Sequence, residues 1–340
     1  MAKPTGIPSL DTLLGGGIAQ NTVLLLKSDR WSQYATTLLR IMLANALALK
    51  QPLFVVSLDL KAEDIVRALP LASTVENVPF IASNSQTNAQ NAKMSIAWRY
   101  NSLPTKTEPV TASVFDLTKT IDPEILKTAD IAIFDRTTTE PLINIEQQIL
   151  EAVEARLKDA AFDPLVHHSQ KKTLLIAIHS FCSPAWDSVS QTQIAVFLHK
   201  LRLLVRTRNA ICVITIPAHL YKDFYGVHIH PYIRRIEHQC DAVIEVESFT
   251  GSARSFDPLI TSDYHGLIHP VKLFTINSLV ESSKLSNVDL HAMGFKVRRK
   301  RFGIETFQLP PENEDSNAKQ STDLPKNSCS SGSSLSYLDF

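Results

Sequence analysis

The chain has 340 residues, 44% hydrophobic and 20% charged, which is the balance of a globular chain and excludes an intrinsically disordered one. Lysine plus arginine and aspartate plus glutamate both total 34, so a polyanion-binding surface must come from local clustering, not net charge. No apolar run reaches the roughly 18 residues that span a bilayer, and the first nine residues lack a secretory core, so the expectation is a soluble, intracellular protein with no membrane contact. Cys182, Cys212, Cys240 and Cys329 form no C-x-x-C pair. Buried reduced thiols are expected, and neither a zinc site nor any other metal or cofactor.

Thr5–Ile18 (TGIPSLDTLLGGGI) predicts a short helix over Ser9–Leu14, capped by Ser9 and stopped by Gly15–Gly17. Thr22–Lys27 (TVLLLK) predicts a doubly buried strand, and the apolar spacing of Leu38, Leu39, Met42, Leu43, Ala46 and Leu47 predicts a helix over Ser32–Leu49. A strand at Leu53–Leu58, a helix at Lys61–Leu69 and a helix through Ile145–Leu157 follow. Next come a strand at Thr173–Ile178, a helical stripe from Ile194 to Val205, and strands at Ala210–Ile216 and Asp241–Val246. His265–Ile268 and Arg301–Leu309 are expected as antiparallel additions at one edge. The alternation predicts an α/β domain with a largely parallel central sheet flanked by helices. Its expected extent is residues 1–311, with an insertion around 71–130. The Ser-rich polar stretch 312–340 is expected to be a disordered tail.

The TGI-x-x-LD-x-LLGGG segment before a buried strand resembles the entry of RecA- and KaiC-like ATPase domains. In an active member, that strand is followed by G-x-x-x-x-G-K-[ST], whose backbone N–H groups close on phosphate while Lys and Ser/Thr serve phosphate and Mg²⁺. Here Lys27–Tyr34 (KSDRWSQY) has no glycine, Asp29 repels phosphate and Trp31 adds bulk. Lys27 and Arg30 are expected to be solvated surface cations. The strand expected to end in a Mg²⁺-positioning acid (LLIAIHS) carries His179, and imidazole suits Mg²⁺ poorly. Ile131–Asp135 offers an acid after a strand, in the region where the insertion is expected. The phosphate loop therefore reads as degenerate. A second reading keeps an atypical ATPase in which Lys27 and Asp135 substitute for the missing groups.

Further stretches are Ile96–Tyr100 (IAWRY), Ser180–Trp186 (SFCSPAW), Leu201–His219, Ala242–Ser252, Asp263–Ile268, Phe295–Phe302 (FKVRRKRF), Ile304–Pro311 and the terminal Leu338-Asp339-Phe340. In that order they resemble the Elongator protein four family. The resemblance implies a RecA-like, non-catalytic subunit of a six-membered ring with the fifth and sixth Elongator proteins. That ring binds tRNA and docks on the catalytic Elongator subunits, which begin carboxymethyl-type modification of the wobble uridine. It also implies that the loop after Ala210–Ile216 faces the ring centre.

Between Lys200 and Arg235 there are seven Lys/Arg and one acid, Asp223. The loop expected from Ala218 to about Glu237 carries His219, Lys222, Arg234 and Arg235, with Tyr221, Tyr225 and Tyr232. Cations interleaved with aromatics suit RNA phosphates and exposed bases, and the same pattern suits a solvated loop or a subunit interface. The second basic run is Lys296, Arg298, Arg299, Lys300 and Arg301, expected as one decorated edge strand.

Overall fold

The computed structural model describes residues 2–73, 114–134, 144–164, 172–186, 190–221, 230–252, 256, 258–275, 293–298 and 301–306. In chain order the first half carries β1 (Ala2–Lys3), α1 (Pro8–Leu13), β2 (Ile18–Ala19), β3 (Val23–Ser28), α2 (Tyr34–Ala48), β4 (Leu53–Ser57), α3 (Ala62–Arg67), β5 (Pro70–Ser73), β6 (Val114–Thr120), α4 (Pro123–Thr128) and β7 (Ile131–Ile133). The second half carries α5 (Ile145–Leu157), β8 (Leu174–His179), α6 (Gln191–Thr207), β9 (Ala210–Pro217), α7 (Pro231–Gln239), β10 (Ala242–Ser248), α8 (Pro258–Asp263), β11 (Gly266–Lys272), β12 (Met293–Arg298) and β13 (Arg301–Thr306). Residues Met1–Phe307 form one compact unit. The tail expected at 312–340 and residues 74–113 of the expected insertion lie outside the described residues.

One nine-stranded sheet runs in the order β13-β12-β11-β10-β3-β9-β8-β4-β7. From β10 to β7 every neighbouring pair is parallel, and β11, β12 and β13 add an antiparallel meander. The central strands are buried on both faces, which is why they read as unbroken apolar runs. Alternate residues serve opposite faces. Leu24 and Leu26 pack with Leu38, Leu39 and Met42 of α2, whereas Val23 and Leu25 pack with Ile194 and Leu201 of α6 and Ile233 and Ile236 of α7. Cys182, Cys212 and Cys240 are free and buried in this framework.

The fold departs from the sequence expectations in several places. Helix α1 begins one residue earlier, with Pro8 in its first turn and Ile7 at the N-cap without a side-chain bond. Ser9 is therefore inside the helix, where its Oγ accepts the Ile304 N–H at 3.0 Å and covers part of the outer edge of β13. The glycine run ends the helix as expected, and at Gly17 (φ +115°) an added Cβ would lie 2.2 Å from the Lys3 carbonyl oxygen. Ile131–Ile133 joins the main sheet, as β7 pairs parallel with β4. The second basic run is not one strand: Lys296 and Arg298 belong to β12 and Arg301 opens β13, the two strands being joined through residues 299 and 300.

Candidate functional site

In parallel α/β sheets, ligands bind beyond the carboxyl ends of the strands. Here those ends bring together Asp29 after β3, Asp59 after β4, His179 and Ser180 at β8, His219 after β9 and Ser248 at β10. The loop between β3 and α2 holds its own anion. Asp29 Oδ1 accepts the Ser32 N–H (3.2 Å) and the Ser32 hydroxyl, and Oδ2 accepts the Ser248 N–H at 2.9 Å. A backbone N–H that would face phosphate in an active loop is thus taken by a carboxylate. Trp31 lies against Gly251 so closely that a Cβ there would come within 2.3 Å of the indole. Arg30 sits over the same ring, 4.8 Å from its centroid.

Lys27 overturns the expectation of a solvated cation. It is completely buried, and its ammonium pairs with Glu237 of α7 at 2.8 Å and Glu245 of β10 at 2.6 Å. The pleat explains this. Lys27 follows Val23 and Leu25 onto the α7 face, and parallel pairing sets it beside Glu245. With its charge committed inward, Lys27 serves no phosphate. The signal was present: Tyr232, Ile233, Ile236 and Glu237 share one helical stripe, so Glu237 occupies a core-facing position.

His179 is buried at the end of β8, with Nε2 3.2 Å from Thr36 Oγ1 and Nδ1 3.3 Å from Ser57 Oγ. Burial lowers its pKa, Asp59 opposes that, and the charge of Arg40 lowers it further. The ring is a neutral member of a hydroxyl network, and imidazole is a poor ligand for Mg²⁺. The unfolded chain binds a proton here that the folded chain resists, so stability should fall as pH drops below about 6.5, by at most ~1.4 kcal/mol per pH unit. Urea titrations at pH 7.5 and 5.5 should show a smaller pH loss in His179→Gln than in the parent. Asp135 lies outside the described residues. Among the described residues, the groups at this end of the sheet do not make a site for a Mg²⁺-nucleotide.

The first basic cluster is rearranged. Only Ala218–Tyr221 and α7 flank residues 222–229, so Arg234 and Arg235 stand on a helix rather than in a loop. Pro231 fills the first turn and His230 Nδ1 caps it by accepting the Tyr232 N–H at 3.2 Å. Helical periodicity turns Ile233 and Ile236 inward and leaves Arg234 and Arg235 exposed. Tyr232 is buried, its hydroxyl 3.4 Å from Cys182 Sγ, and Tyr221 donates its hydroxyl to the Cys182 carbonyl. Tyr232 is therefore no open stacking surface. His219 is half-buried against the Asp29 loop, and burial, opposed by Asp29, lowers its pKa, so it supplies no fixed charge. Lys222 and Tyr225 lie outside the described residues.

The second cluster sits at the far edge of the sheet, beyond β11. Lys296 is committed to Glu305 at 3.1 Å and lies 4.3 Å over the Tyr264 ring. Arg298 and Arg301 are exposed and face each other across β12 and β13. Arg299 and Lys300 lie outside the described residues.

Among the described residues no helix is long and apolar enough to cross a membrane. Residues 3–340 match the family model described as PAXNEB protein. The chain is 32% identical to Elongator complex protein 4 of Xenopus laevis, over 93% of this chain and 82% of that protein. It is 31% identical to the human protein of that name, over 93% of this chain and 78% of that one. A KaiC-like protein of Pyrococcus horikoshii matches in structure with a TM-score of 0.50 and 14% identity, covering 90% of this chain and 99% of the other, a likeness of fold alone. The chain is a RecA-like α/β protein and belongs to the PAXNEB family, that of Elongator complex protein 4.

Proposed function

We propose that this chain is a non-catalytic subunit of the Elongator complex that helps to bind tRNA for wobble-uridine modification. In this reading it forms a six-membered ring with the fifth and sixth Elongator subunits, docks on the catalytic subunits, and works in cytoplasm and nucleus. The names of its relatives support membership of the complex. The observation that carries the non-catalytic part is the loop after β3, where Asp29 takes the N–H of Ser32 and Lys27 is spent on Glu237 and Glu245. The same ion pairs speak against the atypical ATPase, which needs a free Lys27. The RNA part rests on the exposed guanidiniums of Arg234 and Arg235, held on a helix fixed to the sheet.

Isothermal titration of the purified chain with ATP and Mg²⁺ should show no saturable heat at micromolar nucleotide. Turnover above a buffer blank that disappears in Asp135→Asn would establish the ATPase instead. Tagged chain recovered from its own cells should bring the other Elongator subunits with it, and recovery without them would refute membership.

A further inference from the structure

Beside the β12–β13 hairpin lies a cleft of about 140 Å³, lined by Pro8, Ile41, Phe115, Phe302 and Gly303. It is close to the ~150 Å³ of an engineered cavity that binds benzene, so it has room for one apolar side chain. Arg298 and Arg301 also line it. They stand directly opposite in the strand register, where like charges repel, and among the described residues neither has a carboxylate partner. Lys296, by contrast, is already neutralised by Glu305. Two open guanidiniums beside an apolar cleft match a ligand that carries carboxylates around an apolar side chain. Arginine favours such planar acceptors, and a side chain seated in a pocket with an arginine rim is the usual anchor of a protein interface. A stacked RNA base suits the cleft less well, because Phe115 and Phe302 are 3% and 5% exposed and offer no open ring face.

We propose that this cleft docks an acidic segment of another protein of the complex, with one apolar side chain inserted between the Gly6–Ser9 segment and the hairpin. The proposal rests on the chain being an Elongator subunit.

The test places the photo-crosslinker benzoylphenylalanine at exposed position 8 of the tagged full chain, expressed in its own cells, and identifies the crosslinked peptide by mass spectrometry. A peptide of another subunit with Asp or Glu flanking an apolar residue is expected. Arg298→Glu/Arg301→Glu should reduce that crosslink about tenfold or more. Gly303→Val should do the same by occupying the cleft, and it should fold normally because a Cβ at Gly303 meets no atom within 4 Å. Matching urea midpoints would confirm that both variants are folded. A crosslink to RNA alone, to a segment without acids, to no protein in an assembled complex, or one that survives both variants would overturn the proposal while leaving membership intact. Failure of the parent chain to recover Elongator subunits would overturn both.

Discussion

Replacing Lys27 with alanine should destabilise the folded chain by about 3–5 kcal/mol, the usual consequence of removing one partner from a buried ion pair. Lys27 is 0% exposed, and its loss leaves Glu237 and Glu245, 7% and 15% exposed, facing an empty space without the cation between them. Urea unfolding followed by circular dichroism would read the loss as a lowered midpoint at unchanged slope. The triple change Lys27→Met, Glu237→Gln, Glu245→Gln should recover most of it, because removing all the charges together removes the desolvation cost as well. A surface cation, or one held only for phosphate, predicts a midpoint within about 0.5 kcal/mol of the parent for Lys27→Ala. That result would overturn the structural role assigned to Lys27.

The position of Lys27 also shows where sequence reading reached and where it stopped. The strand carrying it was legible because VLLL has no polar residue to turn outward, which only a doubly buried strand explains. Its partner on β10 was hidden by distance: Glu245 is 218 residues further along the chain, and no periodicity within β3 points to it. Helix α7 was misread as loop for a related reason. Its nine residues contain two arginines, a glutamate and a histidine, which mask a short stripe of Tyr232, Ile233 and Ile236. Pro231 after a capping His230 was the local clue that a helix begins there.

The loop after β3 was legible in a different way. Missing glycines and an acid at Asp29 were enough to read it as degenerate, because phosphate binding depends on close backbone approach and positive charge. What fills the space depended on tertiary packing. The Ser248 N–H that reaches Asp29 and the Gly251 backbone that receives Trp31 both come from the end of β10 and the turn after it, far along the chain. The substitutions at the loop thus form a connected arrangement in which an internal carboxylate, an internal cation and an indole each have a local partner.

The change Arg234→Glu/Arg235→Glu is expected to weaken tRNA binding by the purified complex about tenfold or more, with the fold and the assembly unchanged. Both side chains are exposed on α7 while the stripe that fixes the helix lies on its other side, so reversal of their charge disturbs no packing. If each guanidinium neutralises one phosphate, the slope of log affinity against log salt should shrink by roughly 0.7–0.9 for each phosphate left without its arginine. Different tRNAs should be affected alike, since binding to phosphate carries no sequence information. Lys27→Ala links this surface to the buried cluster: by loosening α7 from the sheet it should lower tRNA affinity without removing any exposed charge. His219→Ala should leave the salt slope unchanged, because burial keeps that ring from supplying a fixed charge. Filter binding from 50 to 300 mM KCl, with size exclusion to verify assembly, separates the outcomes. Unchanged affinity and slope in the double variant would remove α7 from the RNA surface, whatever the complex as a whole binds.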